Sequence, residues 1–427
     1  MRFALVNPRW SFEGSIYFGC REPHLPLEYG YAKALLERAG HEACIVDGQL
    51  DGLSREQLRR RVQAFRPDII VITTAPSYLF WRCPPPELRA AHETLADLRG
   101  TGALLVAIGP HASSTPRAAI RKLCVDGAVL GEPEEVLPQL GRDWADVGSF
   151  AWRDGGKIRI QGAPHATDLA ALPALRWPRE SLERHKHHHH RFDAEPDGPG
   201  AEIEYSRGCP YKCTFCAKEN FRTGYRKRPL ALVLEELDGL AAGGVRYVYF
   251  IDEIFLPDRA LLEALVPRGV KFGVQTRIDL WNADTLELLG RAGCVSIEAG
   301  LESISERGRA ELDKRSRLTT EQFSERLLEA RRWVPFVQAN LLYSGADSPD
   351  DIERWREHLR SHGVWANQPV PLFPYPGSPD YRRLWGLPDD RAWERAVEYY
   401  LTAYNDFSDI QEACPLPLSQ LESECES

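Results

Sequence analysis

"YSRGCPYKCTFCAKENF", residues 205–221, decides how the second half of this chain is read. It holds Cys209, Cys213 and Cys216, three of the chain's ten cysteines, in the spacing C-x3-C-x2-C. Structural zinc takes four protein ligands, and no second C-x-x-C pair stands in the chain. A 4Fe–4S cluster held by three thiolates leaves one iron open for a substrate or cofactor. The preceding "AEIEYS" (201–206) reads as a strand. The cysteines therefore sit at a strand's carboxyl end, where barrel active sites lie.

Further strands follow at "VRYVYFI" (245–251), "VKFGVQ" (270–275), "CVSIEAG" (294–300), "FVQANLLY" (336–343) and "WANQPVPL" (365–372), with helical stretches between them. Six strand–helix units are too few for a closed eight-fold barrel. They predict an open, partial (β/α)6 barrel over 201–386 and a helical tail over 387–427. Asn340, Tyr343 and Gln368 are interior candidates by strand position.

Upstream, short apolar runs at "RFALVN" (2–7), "EACIV" (42–46), "PDIIVITT" (67–74), "LLVAIG" (104–109) and "DGAVLG" (126–131) alternate with helical stretches. Buried strands joined by helical crossovers form a parallel sheet covered on both faces. The expected form over 1–141 is a doubly wound, Rossmann-like (flavodoxin-like) α/β domain with its ligand at the carboxyl ends of the strands. No Gly-x-Gly-x-x-Gly follows the first strand, which disfavours a dinucleotide. Trp10, Phe12, Tyr78, Phe80 and Trp81 on the strand-end loops suit a large flat partner or packing against the next domain. Residues 142–200, rich in Pro, Gly and charge, are expected to be a connector, with "HKHHHH" (185–190) as a solvated linker.

A length of 427 residues implies two or three domains. The net charge of −9 argues against nucleic acid or an anionic membrane as the main partner. No run reaches transmembrane length, and the amino-terminal stretch lacks the apolar core of a signal peptide. The expectation is a cytoplasmic protein whose scattered cysteines are reduced.

"CPYKCTFC" resembles the signature of radical S-adenosylmethionine (SAM) enzymes, and the chain as a whole resembles their cobalamin-dependent branch. The resemblance implies that Cys209, Cys213 and Cys216 hold a 4Fe–4S cluster. The amino and carboxylate groups of SAM would chelate the open iron, with Phe215 near the adenine. "YFIDEIF" (249–255) sits where the family contacts the methionyl amine, which points to Asp252 and Glu253. "VQTRIDL" (274–280), "SIEAGLES" (296–303) and "PYPGSPDY" (374–381) resemble later strand ends of that branch. They offer Gln275, Arg277, Glu298 and Glu302 as ribose or carboxylate contacts, although Arg277 and Glu298 could equally form a salt bridge across barrel strands.

The strand ends "TTAPSY", "GPH" and "GEPE" resemble those of the branch's cobalamin-binding domain. Pro8, Thr74, Ser77, Tyr78, Gly109, Pro110, His111, Gly131, Glu132 and Pro133 are the implied corrinoid contacts. Some cobalamin domains place a cobalt-ligating histidine in Asp-x-His-x-x-Gly. Here residues 47–52 read "DGQLDG", with Gln49 in the histidine place. His111 is read as a wall or hydrogen-bonding residue.

The implied activity is C-methylation of an unactivated carbon of a small biosynthetic intermediate. The radical would come from SAM, the methyl group from methylcobalamin, and electrons from an external donor of flavodoxin or ferredoxin type. A cobalamin-dependent cyclase or rearrangement enzyme is the main alternative. A methylthiotransferase would carry a second set of three cysteines, and a non-enzymatic corrinoid or iron–sulfur carrier would close its cluster with a fourth ligand.

Overall fold

The computed structural model describes all residues except 18–21, 78–82, 186–197, 223, 405–406, 408–414 and 423–427. Tyr78, Phe80, Trp81 and His187 to His190 therefore lie outside the described residues. The chain forms two compact units. One comprises Met1–Leu175, Phe215–Thr223 and Phe373–Ser427, and the other Arg176–Thr214 and Gly224–Leu372.

The first unit is built on a seven-stranded sheet of β1 (Arg2–Asn7), β2 (Glu42–Asp47), β3 (Ile69–Thr73), β4 (Leu104–Ile108), β5 (Gly127–Val129), β6 (Phe150–Asp154) and β7 (Lys157–Gln161). Their order is β2-β1-β3-β4-β5-β6-β7. The first five strands are parallel, and the order 2-1-3-4-5 is that of flavodoxin-type doubly wound sheets. All five residues of β3 are buried, the mark of a strand covered on both faces. Successive side chains alternate between two core layers. Ala4, Val6, Ile70, Ile72 and Ala107 pack on one side, and Phe3, Leu5, Ile69, Val71 and Val106 on the other.

The stretch expected to be a connector contributes β6 and β7, an antiparallel hairpin that extends this sheet. Its turn is Asp154-Gly155-Gly156-Lys157, with φ of 51° and 81° at the two glycines. Two positive-φ residues in a two-residue loop match the twist of the flanking strands, so "DGG" is the local signal for this hairpin. The carboxyl-terminal helix Ala392–Ala403 also belongs to this unit, burying Trp393, Val397 and Tyr400 with Ile16, Leu418 and Leu421.

The second unit contains β8 (Gly200–Ile203), β9 (Ser206–Arg207), β10 (Arg226–Lys227), β11 (Tyr247–Phe250), β12 (Lys271–Thr276), β13 (Cys294–Glu302), β14 (Phe336–Tyr343), β15 (Trp365–Ala366) and β16 (Val370–Pro371). Six strands lie in the order β15-β14-β13-β12-β11-β8, every pair parallel, with β16 also on β14 and β9 paired to β10. This is a half-barrel. Phe272, Val274, Ile297, Ala299, Val337 and Ala339 are buried on one face. The alternate residues Gln275, Ser296, Glu298, Gln338 and Asn340 share the other face. Gln275, Glu298 and Gln338 stand side by side in register across β12, β13 and β14.

Two expectations are corrected. His185, first of the histidine run, is not solvated: it is buried and lies 2.8 Å from Glu202 on β8. The carboxylate holds its proton more firmly than in water even though burial opposes the charge. Cys124, expected to be a reduced thiol, is disulfide-bonded. Among the described residues, no helix is long and apolar enough to cross a membrane.

Candidate active site

The chain leaves β8, passes through β9 and enters the cysteine loop at Gly208. This residue has φ of 79°, and an added Cβ would fall 1.6 Å from the carbonyl oxygen of Gly224, so only glycine fits. The loop is braced from several elements. The Gly208 N–H donates to Glu253 Oε2 at 2.8 Å. The Thr214 N–H donates to the Leu312 carbonyl at 3.1 Å. The Tyr211 ring lies 3.9 Å from the Arg277 guanidinium carbon. Cys209, Cys213 and Cys216 are all partly exposed thiols. Phe215 and Cys216 belong to the stretch Phe215–Thr223, which clusters with the first unit.

Asp252 was expected to touch a methionyl amine, but it is fully buried under the loop. Its Oδ1 accepts the Tyr205 N–H at 2.9 Å and its Oδ2 accepts the Ser206 hydroxyl. Burial pushes its carboxyl up to about 8, so it is protonated at neutral pH. Both oxygens serve the fold, and the partly exposed Glu253 beside it is the better candidate for a ligand contact.

Arg277 does not pair with Glu298. Its Nη2 and Nε donate to the two carboxylate oxygens of Asp279, two residues on, at 2.7 and 3.2 Å. Glu298 points instead from β13 to the polar face, level with Gln275. Glu302 sits at a register shift in β13 with φ of 65° and is ion-paired to Lys314, which also donates to the Gly300 carbonyl at 3.2 Å. Asn340 accepts from Gln338 on the same face, whereas Tyr343 and Gln368 are exposed. Tyr211, Asp279 and Lys314 escaped sequence reasoning. Tyr211 stood in plain view inside the cysteine spacer.

The strand ends of the first unit are organised differently. The Thr74 hydroxyl donates to the Ile108 carbonyl at 2.9 Å and accepts the His111 N–H at 3.3 Å. Gly109 between them has φ of 105°, and a Cβ there would meet Thr74 Oγ1 at 2.7 Å. Pro110 opens the short helix Pro110–Ser114 that carries His111. The imidazole Nε2 of His111 donates to the Pro85 carbonyl at 2.9 Å, and its ring stacks on Trp393 with centroids 4.0 Å apart. Burial lowers its pKa to about 3, so it is neutral.

Gly131 and Glu132 were expected to face a ligand, but both are enclosed. Gly131 bridges to His165, where a Cβ would approach the backbone nitrogen to 2.4 Å. Glu132 accepts the Thr167 N–H at 2.8 Å and lies 3.9 Å from Arg222, both side chains fully buried. Pro133 is buried and its carbonyl accepts the Leu137 N–H. Closer to the ends of β1, β2 and β3, Asn7, Trp10, Gln49 and Ser77 line a small cavity with His24 and Pro76. Gln49 Oε1 accepts the Trp10 N–H at 3.0 Å, and Trp10 Nε1 donates to Asn7 at 3.0 Å. Phe12 stacks on Trp10, and Pro8 is buried beside them in sequence.

Residues 203–359 match the radical SAM superfamily. These residues are a radical SAM domain. The match begins at the end of β8 and contains the cysteine loop and the strand ends through β14. An uncharacterised methyltransferase of Pyrococcus horikoshii is 23% identical over 403 residues, covering 90% of this chain and 82% of that protein. An anaerobic magnesium-protoporphyrin IX monomethyl ester cyclase of Cereibacter sphaeroides is 27% identical over 336 residues, covering 72% of this chain but only 51% of its own length. Among solved structures, the radical SAM methyltransferase TsrM from Kitasatospora setae, with tryptophan and a SAM analogue bound, superposes with a TM-score of 0.72 at 19% identity. That likeness covers 89% of this chain and 74% of TsrM, and it extends beyond the radical SAM domain to the overall α/β architecture.

The donor set of the radical SAM domain fits an iron–sulfur cluster. Cys209 and Cys213 lie on a stretch of backbone held at Gly208 by Glu253 and at Thr214 by Leu312, and Cys216 follows two residues after Thr214. Among the described residues, no three His, Cys, Asp or Glu side chains gather closely enough to hold a single metal ion. A cluster does not need such convergence, because each thiolate takes a different iron.

Proposed function

We propose that this protein is a cobalamin-dependent radical SAM methyltransferase that methylates an unactivated carbon of a small biosynthetic intermediate. One observation carries the reading. A single chain joins a parallel sheet of order 2-1-3-4-5 to a radical SAM half-barrel whose first strand leads into three cysteines. The methyltransferases among its relatives, acting by name on substrates as different as a hopanoid and tryptophan, favour methyl transfer over cyclisation.

When bound, the cluster with SAM would supply a 5′-deoxyadenosyl radical for hydrogen abstraction, and cobalamin a transferable methyl group. In the radical SAM domain, Cys209, Cys213 and Cys216 hold the cluster, and Glu253 contacts the methionyl amine. Gln275, Glu298, Gln338 and Asn340 present hydrogen-bonding groups on the polar face of the half-barrel. In the first unit, residues 1–141 receive the corrinoid at the carboxyl ends of the strands, where the ligands of such sheets bind. Gln49 offers no imidazole to cobalt, and His111 keeps its Nε2 on Pro85. Electrons come from an external flavodoxin or ferredoxin in the cytoplasm.

The test is anaerobic incubation of the reconstituted enzyme with candidate intermediates from its gene neighbourhood and SAM deuterated at the methyl group. A product carrying the deuterated methyl supports the reading. A product formed without label points to cyclisation or rearrangement.

A further inference from the structure

Beside the cysteine loop lies a buried charge pair. The Arg277 side chain is 6% exposed and that of Asp279 is 8% exposed. Asp279 occupies Nε and Nη2 of the guanidinium, while Nη1 is buried without a hydrogen-bond partner. The guanidinium lies against the ring of Tyr211, which stands in the spacer between Cys209 and Cys213. A planar, permanently charged guanidinium suits both contacts, since it forks onto a carboxylate and stacks on an aromatic face at once. The result is a desolvated dipole. Its cation faces the loop through Tyr211, and its carboxylate is bonded on the guanidinium's Nε and Nη2 edge.

We infer that Arg277 is a positioning residue that holds the spacer of the cysteine loop and sets the reduction potential of the cluster bound there. This rests on the reading of that loop as a cluster site. One-electron reduction, by an external low-potential donor, adds a negative charge to the cluster and makes or breaks no bond. A buried cation nearby stabilises the reduced form and raises its potential, because attraction is weakly screened in a low-dielectric setting. The partner carboxylate lowers the potential. The two halves of the pair therefore act with opposite sign, which a purely mechanical clamp would not do.

The experiment uses the full chain as wild type, Arg277→Gln, Arg277→Lys and Asp279→Asn, each reconstituted anaerobically with iron and sulfide. Iron content is measured, and the midpoint potential is read by paramagnetic resonance during titration with titanium(III) citrate. Arg277→Gln should shift the potential to more negative values and Asp279→Asn to more positive ones. Arg277→Lys should fall between wild type and Arg277→Gln. Shifts of the same sign in Arg277→Gln and Asp279→Asn, or no shift in either, would overturn the inference. If Arg277→Gln takes up no iron, the upward shift in Asp279→Asn decides alone, and its absence counts against the inference. A wild-type chain that takes up no iron overturns the cluster reading, and the inference falls with it.

Discussion

After β8 the radical SAM domain presents reactive side chains, whereas the strand ends of the first unit present shaped backbone. Cys209 and Cys213 lie partly exposed on a loop whose bracing is done by other residues, namely Asp252, Glu253 and Leu312. In the first unit polar side chains at the strand ends accept backbone N–H groups of neighbouring segments. Thr74 holds His111, Glu132 holds Thr167, and Gln49 holds Trp10. A site of the first kind depends on a few irreplaceable donors. A site of the second kind depends on close backbone approach, so its sensitive positions are glycines such as Gly109 and not the polar residues around it.

The largest expected effect is on the donors. Cys213→Ala should strip the iron–sulfur cluster and abolish SAM cleavage while corrinoid uptake persists, as checked by iron assay, 5′-deoxyadenosine release and visible absorption. Loss of both cofactors would break the division between the units. Gly109→Ala is the converse change. A methyl group forced to 2.7 Å from Thr74 Oγ1 at φ of 105° should destabilise the first unit by ~1–3 kcal/mol. Corrinoid uptake should weaken with iron content unchanged, measured on the same sample.

Asp252 sharpens the comparison through pH. Its folded pKa of about 8 lies above the ordinary carboxylate value of about 4, so the folded state holds a proton that the unfolded state releases. The stability it contributes is full below the unfolded value and is lost as pH rises through the folded one. Asp252→Asn keeps an acceptor for the Tyr205 N–H and supplies a donor to Ser206. Denaturant midpoints between pH 5 and pH 8.5 should therefore fall less steeply in Asp252→Asn than in wild type. Parallel curves would show that the carboxyl is ionised in the fold.

The smallest effect belongs to His111. Replacing it with Phe keeps an aromatic ring against Trp393 but leaves the Pro85 carbonyl without its donor, a loss of about 1 kcal/mol. The paramagnetic resonance of cob(II)alamin bound to the protein should be the same in wild type and His111→Phe. Loss of a nitrogen coupling in the variant would make His111 a cobalt ligand and move the first unit towards the donor-based kind of site.

The same contrast explains what was legible in the sequence. The cysteine spacing announced its site because metal chemistry selects residue type, and six apolar runs with helices between them announced the half-barrel. The alternation of core layers in the first unit follows from runs such as "IIVIT", which leave little freedom in how a strand is covered. Partner choice was not legible. Whether Arg277 meets Glu298 or Asp279 depends on the turn after β12, and nothing in "TRIDL" distinguishes the two. His185 was hidden in the histidine-rich stretch "HKHHHH", of which the first residue alone is described, and it is ion-paired to Glu202. The hairpin β6–β7 was visible in "DGG" but was outweighed by the composition of its surroundings.

The central claim is that one chain carries both cofactors. The direct measurement is reconstitution of the full-length protein with iron, sulfide and cobalamin under anaerobic conditions, removal of unbound material by gel filtration, and assay of iron and corrinoid in the same fractions. The account predicts about four irons and one corrinoid per chain, eluting together. Iron without corrinoid in those fractions would contradict it.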